Sequence, residues 1–169
     1  VDLFISSFIS SFTNKPVNIF WGVNEASFLL AEDICRQEKN GKIVFVNTED
    51  IYDDPSAQKI GLQSLLDVMS FSRSEISRIE GMNALAVNCH YDLSGIQKGT
   101  KDVFGSIRLK SIRKFIRNSY RTRIFLLSDD ESVNINSALN LLGDETLKRH
   151  KDATIYIHAF SNRLNEIYN

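Results

Sequence analysis

The 169-residue chain is 43% apolar and 24% charged, with 20 Lys+Arg against 21 Asp+Glu and a formal net charge of −1. That apolar content excludes disorder, and 8 Gly with 2 Pro exclude collagen-like and low-complexity classes. The balanced charge gives the chain as a whole no bias toward anionic membrane or toward nucleic acid, which is not expected as a partner.

The first apolar stretch, within residues 1–16, carries Leu3, Phe4, Ile5, Phe8, Ile9 and Phe12. It is shorter than the ~20 residues needed to cross a bilayer. Two readings stay open for it: the remnant of a membrane tether or amphipathic docking helix, and a helix packed on its own domain. A chain opening on Val1 reads as a piece of a longer protein. Cys35 and Cys89 are too few for a disulfide scaffold and read as buried thiols of a reducing compartment, hence a cytoplasmic location.

Five short runs rich in β-branched and aromatic residues follow: 17–21, 43–46, 84–87, 124–127 and 154–157. They are near-continuous in hydrophobicity, the pattern of parallel strands covered on both faces. Helix-period segments separate them. Their apolar faces are predicted as Phe28, Leu29, Ala31, Ile34 and Cys35, then Leu62, Leu65, Leu66 and Met69, then Ile112, Phe115, Ile116 and Tyr120, and finally Ile135, Ala138, Leu139 and Leu142. Gly41 and Gly143 sit where helices are expected to stop. Strand alternating with helix predicts an α/β fold, a doubly wound parallel Rossmann-like sheet of at least five strands in the order 3-2-1-4-5, with helices on both faces. Residues 17–169 then form a single domain.

In such folds ligands bind at the carboxyl ends of the strands, beside the first strand. The turn there is Gly22-Val23-Asn24-Glu25-Ala26-Ser27, and only Gly22 matches a dinucleotide glycine fingerprint that would also need glycines at 24 and 27. Asn24 tolerates a left-handed backbone but brings a side chain to the pyrophosphate position. Ser27 is small, with a hydroxyl suited to phosphate, and the N–H groups of Glu25, Ala26 and Ser27 make an anion-favouring helix N-terminus. The Glu25 charge opposes that anion. At the end of the second strand Asn47 stands where a ribose-binding acid is expected, so NAD and NADP are not distinguished.

The fourth strand runs into Ser128-Asp129-Asp130-Glu131-Ser132-Val133-Asn134, then Ala138-Leu139. Together with the Gly22 turn, the Leu30-Ala31 pair and Asn162-Arg163-Leu164, this resembles the regulator of potassium conductance (RCK, or TrkA-N) family over about 17–50 and 123–165. Read from the residues alone, Asp129 or Asp130 caps the helix and Asn134 ties the turn together from within it. The resemblance implies a noncatalytic regulatory domain that binds NAD(H) or an adenine nucleotide, dimerises, and belongs to a larger membrane-anchored chain at the inner face of the membrane. It implies that Gly22, Asn24, Ser27 and Asn47 surround the nucleotide, with Asn88, Cys89 and His90 near the adenine and Ser128 near the pyrophosphate. Val23, Glu25 and Asp129 complete that cofactor-binding set. The turn also looks like that of bacterial membrane-tethered Rossmann proteins in which an N-E-x-S sequence replaces the glycine loop, and there a cofactor is not implied.

Enzyme motifs are missing. No tyrosine has Lys four residues on, and no G-x-S-x-G, P-loop or H-E-x-x-H occurs. His90 and His158 follow strands but lack a third ligand, and Glu49, Asp50, Asp53 and Asp54 lack the spacing of a calcium loop. The alternative function is the cofactor half of an NAD(P)-dependent oxidoreductase. One local charge anomaly remains: between 103 and 128 there is no acid, whereas Arg108, Lys110, Arg113, Lys114, Arg117, Arg121 and Arg123 are all basic. A solvated face, a docking surface for membrane or an acidic partner, and a phosphate or nucleic-acid site are its three readings.

Overall fold

The computed structural model describes residues 15–38, 40–48, 59–60, 84–88, 103–105 and 109–158. In chain order these form β1 (Val17–Trp21), α1 (Glu25–Gln37), β2 (Lys42–Asn47), β3 (Lys59–Ile60), β4 (Ala84–Asn88), a 3₁₀ turn (Val103–Gly105), α2 (Lys110–Asn118), β5 (Thr122–Leu126), α3 (Glu131–Leu142), α4 (Glu145–Lys148) and β6 (Ala153–Ile157). Segment 1–14, the acidic cluster at 49–54, the helix around 62–69, Cys89, His90, Arg108 and the segment after 158 lie outside the described residues.

The sheet order is β3-β4-β2-β1-β5-β6. Its five long strands run parallel in the expected 3-2-1-4-5 order, and β3 adds a two-residue antiparallel edge on β4. Because every crossover returns the chain to the same edge, all the strand-to-helix turns gather on the carboxyl rim of the sheet.

Side chains alternate between two cores. On one face Phe20, Ile43, Phe45 and Phe125 pack under Phe28, Ala31 and Ile34 of α1. On the other, Ile19, Trp21, Val44, Val46, Ile124 and Leu126 meet Phe104, Ile112, Ile116, Ala138, Leu141 and Leu147 from the 3₁₀ turn, α2, α3 and α4. Helices therefore cover both faces. Register aligns an aromatic row across four strands: Phe45, Phe20, Phe125 and Tyr156 occupy one line, with successive ring centroids 5.4, 5.1 and 5.0 Å apart.

Three expectations need correction. The buried stripe of α3 is Asn134, Ser137, Ala138 and Leu141, whereas Leu139 and Leu142 are 58% and 61% exposed. The helix is rotated so that Asn134 can reach the turn before it, and a buried polar side chain takes a place that an apolar-periodicity rule gives to leucine. Leu29 of α1 and Phe115 and Tyr120 at α2 also face solvent rather than the core. Finally β6, apolar as it is, is exposed at four of its five residues, as an edge strand with one neighbouring strand can be.

Asp144 closes the second core from below. It is fully buried, and its Oδ1 accepts from the N–H groups of Thr146 and Leu147 at 2.9 and 3.1 Å while Oδ2 accepts from Phe104 N–H at 3.2 Å. One carboxylate thus caps α4 and anchors the 3₁₀ turn. Asp144→Ala orphans three buried donors and is expected to cost about 3 kcal/mol. Phe20→Ala, at the centre of the aromatic row, is expected to cost about 4 kcal/mol, against about 1 kcal/mol for Tyr156→Ala at its half-exposed end. Urea unfolding of the three variants measures these differences.

Candidate functional site

The mouth of the domain lies where the β1–α1 and β5–α3 turns meet on the carboxyl rim. Gly22 has φ +104°, a conformation that side chains disfavour, and a Cβ there would stand 2.6 Å from the Ser128 nitrogen and 2.8 Å from its Cα. Gly22 N–H donates to Val46 O at 3.0 Å and Leu127 N–H to Trp21 O at 2.9 Å, so the two backbones lie directly against each other. The two bends lie side by side on the carboxyl rim.

Asn24 occupies the gap between them. Its backbone is extended (φ −156°) rather than left-handed, because it serves as the N-cap of α1. Its Oδ1 accepts from Ser27 N–H at 3.0 Å, while Ser27 Oγ accepts from Asn24 N–H at 2.9 Å and donates to Asn24 O at 2.8 Å. This reciprocal capping box consumes the Ser27 amide and hydroxyl, both of which the sequence offers to a phosphate. Across the gap, Asn24 Nδ2 donates to Leu127 O at 2.6 Å and to Asp129 Oδ1 at 3.3 Å. The side chain latches one turn onto the other.

The opposite wall is tied from behind. Asn134, buried in the first turns of α3, accepts from Ser128 N–H at 2.9 Å and donates to Ser128 O at 2.9 Å and His158 O at 3.3 Å. Ser128 Oγ accepts from Asp130 N–H at 3.2 Å, and Asp130 caps α3 by accepting from Ser132 N–H at 2.9 Å. Hydrogen bonds from the Ser132 hydroxyl, then from its amide, hold the Asp130 carboxyl below the ordinary aspartate range. The cap binds the ionised form, so its small contribution is in place at neutral pH and fades as pH falls through that lowered value.

The described members of the expected contact set lie on one rim, Cys89 and His90 being outside the described residues, and most of their polar groups turn inward. Gly22, Val23, Ser27, Asn47 and Ser128 are buried, and what faces solvent is Asn24 in part, with Glu25 and Asp129. Asn47 and Asn88 are register partners at the same rim, which puts Asn88 where the adenine end of the crevice is expected. Glu25, Asp129, Asp130 and Glu131 all sit at or beside the two helix starts. They suit the positive ends of the helix dipoles and repel a phosphate. Among the described residues no group of three or more His, Cys, Asp or Glu is placed to hold a metal ion, and no helix is long and apolar enough to cross a membrane. Cys35 is half-buried, and burial raises its thiol pKa.

No family model matches the chain, and no curated protein or solved structure was found to match it.

The latch itself is what sequence reading missed. Its signal was present: Asn followed three residues later by Ser at a helix start is a capping-box spacing, and a capping asparagine has its amide nitrogen left over for a second partner. Two substitutions test the walls of the mouth. Gly22→Ala forces a Cβ into the Ser128 backbone at a disfavoured φ and is expected to cost about 3 kcal/mol or more. Asn134→Ala orphans the buried Ser128 N–H and is expected to cost about 2–3 kcal/mol. Equilibrium denaturation reads both, and a near-neutral result for either contradicts the packing described.

Proposed function

We propose that the chain is a noncatalytic Rossmann-like regulatory domain, of the RCK/TrkA-N type, whose nucleotide mouth is held shut by its own Asn24. The observation carrying this reading is the Asn24 side chain, bonded at once to Ser27, Leu127 and Asp129 across the cleft that a pyrophosphate would enter. The surrounding carboxylates and the burial of Asn47 support the same conclusion, since the Asn47 side chain is not exposed to a ribose. On this reading NAD(H) or an adenine nucleotide is not a resident cofactor, and the domain works as a docking scaffold within a larger, membrane-anchored protein at the cytoplasmic face. An NAD(P)-dependent oxidoreductase half needs an open crevice and is less well supported.

Calorimetric titration with NAD+, NADH, NADPH, ADP and ATP is expected to show no binding tighter than about millimolar in the native chain. Asn24→Gly combined with Asp129→Asn removes the latch and one repelling charge, and glycine is tolerated at an N-cap for a few tenths of a kcal/mol. That double variant is expected to bind adenine nucleotide measurably. Micromolar binding by the native chain rejects the closed-mouth reading.

The docking role is supported by apolar surface on the α3 side of the β6 edge, where Leu139 and Leu142 of α3 and Ile157 of β6 are exposed. A second copy of the chain is the proposed occupant. Leu139→Glu with Leu142→Glu is expected to convert a dimer to a monomer in sedimentation equilibrium while leaving the circular dichroism unchanged. A native chain that is monomeric at high concentration refutes the homodimer.

A further inference from the structure

Four arginines of the basic segment around α2 divide into two pairs in the fold, while Lys110 and Lys114 face solvent. Arg121 and Arg123 turn inward at the amino rim: both reach Glu38 Oε1 at the end of α1, and Arg123 Nε donates to Asn18 Oδ1 at 2.8 Å. These two are structural. Arg113 and Arg117, one helical turn apart on α2, instead line a pocket of about 580 Å³ whose remaining walls are Glu145, Thr146, Arg149 and His150. It lies between α2 and α4, toward the amino rim and so away from the Asn24 mouth.

Three arginines and one glutamate line this concavity. Arg113 is oriented by its Nε, which donates to Phe104 O at 3.1 Å. Arg149 lies 3.9 Å from Glu145, with side chains 79% and 53% exposed, a contact too long and too solvated to neutralise it strongly. His150 is committed elsewhere. Its Nε2 faces Ser119 O at 3.1 Å and Ser119 Oγ at 2.9 Å, and its Nδ1 accepts from Asp152 N–H at 3.0 Å. His150 thus shapes the floor and pins the chain entering β6 to the end of α2.

A planar, permanently charged fork matches the oxygens of a phosphate group, and several forks around one cavity favour a dianion over a carboxylate. The volume is that of a small-ligand site, and a concave cluster with no exposed stacking ring in its lining does not suit nucleic-acid bases. We propose that the α2–α4 pocket binds a terminal phosphate group through Arg113, Arg117 and Arg149, carried either by a soluble phosphorylated compound or by a phosphorylated lipid headgroup. This is a second site, independent of whether the Asn24 mouth opens.

The test is titration of the native chain with inorganic pyrophosphate at physiological salt, followed by the backbone amide resonances of residues 113–117 and 145–150. Saturable shifts confined to those segments are expected. Arg117→Gln and Arg149→Gln are each expected to weaken binding about tenfold, whereas Arg36→Gln, on α1 outside the pocket, leaves it unchanged. Arg117, Arg149 and Arg36 are exposed, so these variants keep the fold. A parallel flotation assay uses phosphatidylcholine vesicles with and without a phosphatidylinositol phosphate. Capture that needs the phosphoinositide and both arginines identifies a lipid source, and pyrophosphate binding without capture identifies a soluble one. Neither binding, affinities unchanged in both variants, or association with duplex DNA in place of pyrophosphate overturns the proposal.

Discussion

The contact between the Gly22 turn and the Ser128 backbone is the constraint on which the architecture of the mouth depends. Two turns from strands adjacent in the sheet but about a hundred residues apart in sequence come within backbone contact, and only a residue without Cβ lets them do so. Once they touch, little room is left between them, and the local groups must be satisfied by short bonds. Asn24, Ser27, Asn134 and Asp130 supply those bonds, each at a helix start or within its first turn. The space that a ligand would need between the two turns is thus occupied by their own hydrogen bonds.

A second organising feature is electrical and is invisible in the net charge. In a parallel sheet with antiparallel helices, all helix N-termini share the carboxyl rim and all C-termini the amino rim. Glu25, Asp129, Asp130 and Glu131 stand at the first, while Arg36, Lys42, Arg117, Arg121, Arg123 and Arg149 stand at or near the second. Each set opposes the partial charge of the helix ends nearest to it. The chain is nearly neutral overall, yet among the described residues acids gather at the Asn24 mouth and arginines at the α2–α4 pocket. An anion entering the mouth meets those acids, and one approaching α2 and α4 meets those arginines.

How much of this was legible in the sequence depended on range. The five parallel strands were readable because each is a short, near-continuous apolar run, and doubly buried strands leave no other pattern. Asn134 was readable because its partner turn lies six residues away. The rotation of α3 was not, since apolar spacing alone places Leu139 inward and only the demand of Ser128 for a buried partner turns it out. The fates of the basic residues were equally hidden. Arg121 and Arg123 find Glu38 more than eighty residues earlier, and Arg117 finds Arg149 only through the packing of α2 on α4. Composition showed the excess of charge, whereas its division into structural and solvent-facing groups required the fold.

The latch has a quantitative consequence for any ligand of the mouth. Opening it breaks the Asn24 bonds to Leu127 and Asp129 and uncaps Ser27, which at about 1 kcal/mol per net bond costs ~2–3 kcal/mol. A nucleotide binding only the open form then loses roughly 30- to 150-fold in affinity to that equilibrium before any repulsion from the carboxylates is counted. A nucleotide pocket that begins with micromolar intrinsic affinity is thereby moved toward the millimolar range.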